Sequence, residues 1–289
     1  SNPTNPLMTD YTTYIGIEHL EKLNTATSIC FDTETLQLKP EIGKLRLLQL
    51  GSTARKVVVV IDLFATSEAD LEKLDLFFAN GTRFWLAHNA VFDLGWLQAY
   101  GWFPKGDIHC SMLASKILNN GKPNMKHGLA PVVKRYFDIE LDKQEQRSDW
   151  SAELTDSQIR YAAKDVEMLC ELDGPIHQDI AQAGLGAAYA LECRALQGMA
   201  SMTNNGLPFD KDALQGIEVD YEKDIENLGR EFHLELDDAL PREHKLPRED
   251  DGTFNLRPED TGRIKDGTKQ YAGFNIASPK QLLEKLTLV

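Results

Sequence analysis

Asp32 and Glu34, separated by one residue, close a short apolar run that opens at Ser28. On an extended strand alternate side chains share a face, so Ile29 and Phe31 point one way and Cys30, Asp32 and Glu34 the other. Two carboxylates side by side can grip one cation. Their oxygens are the hard ligands that Mg²⁺ and Mn²⁺ prefer, and two such ions about 4 Å apart can cleave a phosphodiester. Alone, the pair is a weak signal, since two such anions in water repel and stay hydrated. A third acid, Asp93, follows His88-Asn89-Ala90-Val91-Phe92. Asn89 stands where a helix N-cap belongs and Asp93 falls in the first turn or just beyond, where an acid also simply stabilises the helix end. Tyr161 and Asp165 lie about one helical turn apart and so share a face. They could make a surface contact, or present a phenol and a carboxylate to one reacting phosphate.

These side chains need elements to hold them. Strands are expected at about 28–33, 44–51 and 56–61, forming a meander. A helix near 68–79, a buried strand at 83–87, a helix from 90 and a short strand at 107–110 follow. Three further helical stretches reach about residue 182. Thr155 and Gln158 form a capping box that opens the last of them, and Ile159, Ala162, Val166 and Leu169 make its apolar stripe. Beyond Gly184 long helices are expected over 187–202 and 211–236. Residues 241–267, rich in charge, Pro and Gly, read as a mobile insertion. Ser278-Pro279 suits the start of a last helix. No internal repeat is evident.

Phe31-Asp32-Thr33-Glu34-Thr35, His88 to Asp93, and Tyr161 to Asp165 occur in the order of the DEDD family of 3′–5′ exonucleases, which the chain resembles. Tyr161, with Arg160 where the other subtype has histidine, points to the tyrosine subtype. Leu141-Asp142-Lys143-Gln144-Glu145-Gln146-Arg147-Ser148-Asp149-Trp150 is similar to the approach to the third motif in ribonuclease D and bacterial proofreading domains. Farther on, Leu191 to Leu196, Asn205-Gly206-Leu207-Pro208-Phe209-Asp210 and Phe274 to Leu282 resemble the entry and thumb of family A (polymerase I-like) DNA polymerases. The resemblance implies an α/β, ribonuclease H-like exonuclease domain over 1–184, with a mixed five-stranded sheet flanked by helices. It implies a mostly helical partial thumb over 185–289, truncated before any polymerase carboxylates. No polymerase activity is therefore expected of this chain.

The implied activity is removal of 5′-mononucleotides from DNA 3′ ends with two Mg²⁺ or Mn²⁺ ions. Asp32, Glu34 and Asp165 would hold one ion with the attacking water. Asp32 and the phosphate would hold the other, and Asp93 would help through bound water. Tyr161 would orient the nucleophile with its phenol un-ionised. Thr33, Leu38, His88 and Asn89 would meet the substrate, Leu38 as a wedge between terminal bases. Taken by themselves, Leu38 is equally an ordinary loop residue, His88, His109 and His127 read as structural, and Trp150 as a packing anchor. The implied partners are single-stranded DNA or a frayed or mismatched primer 3′ end, and a separate polymerase subunit. A ribonuclease D-like action on RNA, or a scaffold that binds primer ends without cleaving them, are the competing readings.

Composition bounds the rest. The net charge of −14 over 289 residues excludes a generic nucleic-acid coat. A local basic strip from Lys122, Lys126, Lys134, Arg135, Lys143 and Arg147 could still meet phosphate. The four cysteines form no close pairs, which argues against zinc and for free thiols in a reducing cytoplasm. No apolar run is long enough to cross a membrane, and the polar opening, ahead of Met8, looks like an expression remnant rather than a signal peptide.

Overall fold

The computed structural model describes residues 11–289 except 143–144, 146–147, 249, 255–259, 266–267, 272–273 and 276–277. It forms two compact units, one running to Gly206 and the other spanning Leu207–Val289.

The first unit is built on a six-stranded mixed sheet. Its strands are β1 (Thr12–Ile15), β2 (Ser28–Thr35), β3 (Leu45–Ser52), β4 (Val57–Asp62), β5 (Phe84–Ala87) and β6 (Asp107–Cys110), in the order β1-β4-β3-β2-β5-β6. The expected meander is present: β3 runs antiparallel to both β2 and β4. The other pairings, β1 with β4, β2 with β5 and β5 with β6, are parallel. The expectation of five strands falls one short. Thr12-Thr13-Tyr14-Ile15 is a mostly exposed edge strand without an apolar face, so its signal lies in pairing with β4 rather than in its own pattern.

Helices cover both faces. These are α1 (Glu68–Phe78), α2 (Ala90–Ala99), α3 (Ser111–Leu118), α4 (Leu129–Phe137), α5 (Asp156–Gln182) and α6 (Gly186–Asn205). One core packs Phe31, Leu48, Leu50, Val59, Ile61, Phe78, Trp85 and Trp96 together. The other sets Cys30, Leu47, Val58 and Val60 of the sheet against Ala162, Val166, Leu169 and Cys170 of α5. Gly51 marks how closely α5 lies on β3: a β-carbon there would stand 2.5 Å from Val166 Cγ1 and 2.9 Å from Cys170 Sγ. Helix α6, expected to open the second region at residue 185, belongs to the first unit by packing. Asn204 Nδ2 donates to the Gly95 carbonyl of α2 at 2.8 Å, and Tyr189 Oη accepts from Cys110 N on β6 at 3.1 Å.

The second unit contains the long helix α7 (Lys211–Ala239), α8 (Pro279–Leu286) and a hairpin of β7 (Asp260–Lys265) and β8 (Thr268–Tyr271). Within residues 241–267, expected as a mobile insertion, Asp260–Lys265 form β7, and 249, 255–259 and 266–267 lie outside the described residues. Leu236, Leu240, Leu246 and Phe274 make a small core of this unit. Ser278 caps α8 with Pro279 in its first turn, as its sequence predicts. Part of the thumb-like Phe274 to Leu282 stretch, Ile276 and Ala277, lies outside the described residues, as do residues 1–10.

Candidate active site

Strand β2 presents Asp32 and Glu34 on the face covered by α5, and α5 presents Tyr161 and Asp165 toward them. The helix starts where the sequence says it should. Thr155 Oγ1 accepts from Gln158 N, while Gln158 Oε1 accepts from Thr155 N at 3.0 Å. Gln158 does more than cap. Its Nε2 donates to Ser148 Oγ at 2.9 Å and to the Asp149 carbonyl at 3.1 Å, tying the loop before α5 to the turn that carries Tyr161. Trp150, in that loop, is buried beside Tyr161 with ring centroids 6.5 Å apart, in keeping with a packing anchor.

Side-chain oxygens of Asp32, Glu34 and Asp165 all lie within 4.8 Å of one another. Ligand oxygens bind Mg²⁺ or Ca²⁺ at about 2.0–2.6 Å, so two that share a cation stand up to about 4–5 Å apart. The trio therefore fits a hard divalent cation in both chemistry and spacing. Asp93 does not join it. Buried in the first turn of α2, it accepts a 2.6 Å hydrogen bond from Thr33 Oγ1, from the face of β2 opposite Asp32. The hydroxyl of Thr33, placed by the sequence among substrate contacts, donates its proton to Asp93.

Without a cation this arrangement is electrostatically costly. Burial first, then repulsion from Asp93, Glu34 and Asp165, holds the Asp32 carboxyl well above the usual carboxylate range. Burial and the charges of Asp165 and Asp93 push Glu34 up to about 8. Burial pushes Asp93 up to about 7, against the stabilising hydrogen bond from Thr33. Tyr161 is also raised, by burial and by the carboxylates of Asp165 and Glu34, and its hydroxyl donates to Asp165. The phenol is neutral at any physiological pH.

These groups line a cleft of about 710 Å³ that also takes in Leu38, His88, Asn89, Phe92 and Met112. Leu38 stands 82% exposed at the cleft. Asn89 occupies the N-cap position of α2, but its backbone is left-handed (φ 67°) and its side chain makes no capping bond. The side-chain cap expected there is absent. Asparagine is one of the few residues that tolerates this conformation, which leaves its amide available to the cleft. The His88 ring is held to Ser111 Oγ at 2.8 Å, and burial lowers it to about 4, so it brings no positive charge to a phosphate.

The expected basic strip is largely spent. Lys134 pairs with Glu140, Arg135 donates to the Lys126 carbonyl and to Ser115 Oγ, and Lys122 donates to Asn119 Oδ1. Lys143 and Arg147 lie outside the described residues. Among contacts the sequence did not disclose, alternation along β2 tells which face Thr33 takes but not that Asp93 meets it there. The ties from Gln158 to Ser148 and Asp149 had no local signal.

The sequence matches the profile of a 3′–5′ exonuclease family over residues 16–181, more than half of the chain. The chain belongs to that family. The exonuclease domain so defined contains the whole cleft, and its acidic cluster accords with the divalent-metal dependence of such exonucleases. DNA polymerase I of Aquifex aeolicus is 26% identical over 286 residues, covering 91% of this chain and 47% of that protein. Ribonuclease D of Cronobacter turicensis is 32% identical over 178 residues, 61% of this chain and 46% of that protein. The chain thus spans about half the length of these curated relatives. In fold it is similar to Brucella melitensis NrnC (TM-score 0.57, 24% identity, 68% of this chain and 95% of that one). It is also similar to Escherichia coli RNase D (TM-score 0.56, 24% identity, 68% and 51%). Among the described residues no helix is long and apolar enough to cross a membrane.

Proposed function

We propose that the exonuclease domain removes 5′-mononucleotides from DNA 3′ ends, in the manner of a polymerase proofreading domain of the tyrosine subtype. The observation that carries this reading is the extent of the likeness to DNA polymerase I. It continues through the second unit to cover 91% of the chain, whereas the likeness to ribonuclease D covers 61%. On this reading Leu207–Val289 corresponds to part of a polymerase thumb, and the partners are a frayed or mismatched primer end and a polymerase subunit. The four cysteines, all free and buried, suit a reducing cytoplasm. RNA is the second reading, favoured by the higher identity, 32%, to ribonuclease D.

Asp32, Glu34 and Asp165 would hold divalent cation, two ions in all, with the substrate phosphate as a further ligand and Asp93 helping through bound water. Bound there, the metal supplies Lewis acidity and lowers the pKa of its water. The remaining work falls to the chain. The neutral Tyr161 hydroxyl, anchored by Asp165, orients the nucleophilic water. That water gives up a proton to solvent as its oxygen bonds to phosphorus, the bond from phosphorus to the 3′-oxygen breaks, and the departing oxygen takes up a proton. Leu38 and the Asn89 amide, at the cleft, engage the terminal nucleotide. The test is cleavage of labelled single-stranded DNA, mismatched duplex and RNA of one sequence with Mg²⁺, each with a free or blocked 3′ terminus. Mononucleotide release from free DNA 3′ ends, faster than from RNA, is expected. Release from blocked 3′ ends overturns the polarity, and a preference for RNA overturns the substrate.

A further inference from the structure

Gln49 is a polar residue where the sheet calls for an apolar one. It lies in the middle of β3, fully buried, and neither the oxygen nor the nitrogen of its side-chain amide has a hydrogen-bond partner in the protein. Its neighbours at the same alternation on β3 and β4 are Leu47, Val58 and Val60, which pack against Ala162 and Val166 of α5. A Leu or Met would fill such a position at no cost in hydrogen bonding, whereas an amide buried without a partner destabilises the fold. The residue therefore calls for an explanation that packing does not give.

The strand register supplies one. Gln49 stands directly opposite Asp32 in the antiparallel pair of β2 and β3. Residues so paired project from the same face with Cβ atoms about 4.5–5.5 Å apart. The Gln49 amide thus shares the layer beneath α5 with the carboxyl of Asp32. Asp32 receives a backbone hydrogen bond from Thr33 and is otherwise surrounded by the carboxyls of Asp93, Glu34 and Asp165. A carboxylate offers about four acceptor sites, of which a cation uses one or two. The oxygen turned away from a cation needs a donor to fix its orientation, and such outer donors tune how tightly the site binds.

We propose that Gln49 is a positioning residue for the cation site: unbonded in this structure, its amide N–H₂ turns to hold the oxygen of Asp32 that faces the sheet once a cation draws the other oxygen away. It acts through Asp32 and touches neither metal nor substrate. The assignment rests on the reading of Asp32, Glu34 and Asp165 as a cation site, and its test keeps the two apart. Mn²⁺ binding to the full chain is measured by calorimetry for the parent, for Asp165→Ala and for Gln49→Met, which preserves length and volume while deleting the amide. Melting temperature without metal and cleavage across a Mn²⁺ titration are read on the same samples. The expected result for Gln49→Met is a melting temperature equal to or above the parent's, with Mn²⁺ affinity lower by about 10–100-fold and the activity titration displaced to match. Binding and titration within about twofold of the parent, well inside what loss of such a donor should cost, overturn the role of Gln49 alone. A Gln49→Met chain that fails to fold makes the residue structural and overturns it too. If the parent takes up no Mn²⁺, or Asp165→Ala binds it as well as the parent, the cation site falls and the inference falls with it.

Discussion

At the scale of single residues, the site separates groups that would do chemistry from groups that hold them. On the proposed reading, Tyr161 belongs to the first class. Tyr161→Phe retains the ring that packs beside Trp150 and deletes only the hydroxyl bonded to Asp165. A positioned hydrogen-bonding group contributes about 10²–10⁴-fold to rate. Single-turnover cleavage at saturating Mg²⁺ should fall by that order while oligonucleotide binding is retained. A rate within about twofold of the parent would show that the ring alone matters. Thr33 belongs to the second class. Thr33→Val keeps its shape but leaves the buried Asp93 carboxyl without its 2.6 Å donor. Loss of one partner of a buried hydrogen bond costs about 1–3 kcal/mol. Urea unfolding should register that loss, and turnover should fall far less than for Asp32→Ala.

At the scale of elements, everything depends on α5 lying flush on the sheet and starting at a fixed residue. Gly51 permits the first. In Gly51→Ala the new β-carbon meets Val166 Cγ1 at 2.5 Å and Cys170 Sγ at 2.9 Å, so the helix must lift or the side chains must turn. Overpacking of this kind costs about 1–3 kcal/mol, and displacement of α5 carries Asp165 away from Asp32 and Glu34. A lower melting temperature with weaker Mn²⁺ binding is the expected pair, and unchanged Mn²⁺ binding would show that the helix absorbs the strain elsewhere. Gln158 permits the second. Gln158→Ala removes half of the capping box and both ties to Ser148 and Asp149. A destabilisation of about 1–2 kcal/mol in urea unfolding is expected. Protease nicking within residues 141–154 should appear in the variant before it appears in the parent.

At the scale of the whole molecule, the acidic cluster makes stability depend on pH and metal together. Glu34 at about 8 and Asp93 at about 7 hold protons in the fold that the unfolded chain releases near its ordinary carboxylate range. With both values raised, these groups favour the fold fully below about pH 4, and their contribution is lost as pH climbs through 7 and 8. The metal-free melting temperature should accordingly be lower at about pH 9 than at about pH 6. Mg²⁺ or Mn²⁺ should restore it most at the higher pH, where the ligands are ionised. Asp93→Asn should flatten the metal-free dependence. A melting temperature that rises with pH over this window in the absence of metal would contradict the origin assigned to these shifts.

The sequence by itself determined that Asp32 and Glu34 share a face, where α5 starts and most of the sheet. Each of these is a local fact: Asp32 and Glu34 share a face because strands alternate, and Thr155 with Gln158 caps because the helix leaves its first amides unpaired. It also supplied the resemblance that the family match bears out at the level of a 3′–5′ exonuclease. Local rules misled where a partner decides the outcome. The exposed Thr12–Ile15 segment is a strand because β4 offers it an edge, and α6 joins the first unit because Asn204 finds the backbone at Gly95. Asn89 gives up a side-chain cap because its backbone turns left-handed above the cleft. Tertiary structure alone decided that Asp93 is held by Thr33 outside the Asp32–Glu34–Asp165 trio. It alone set the Gln49 amide across from Asp32. Register and packing bring together residues distant in the chain, and no pattern of neighbours along the sequence encodes which of them meet.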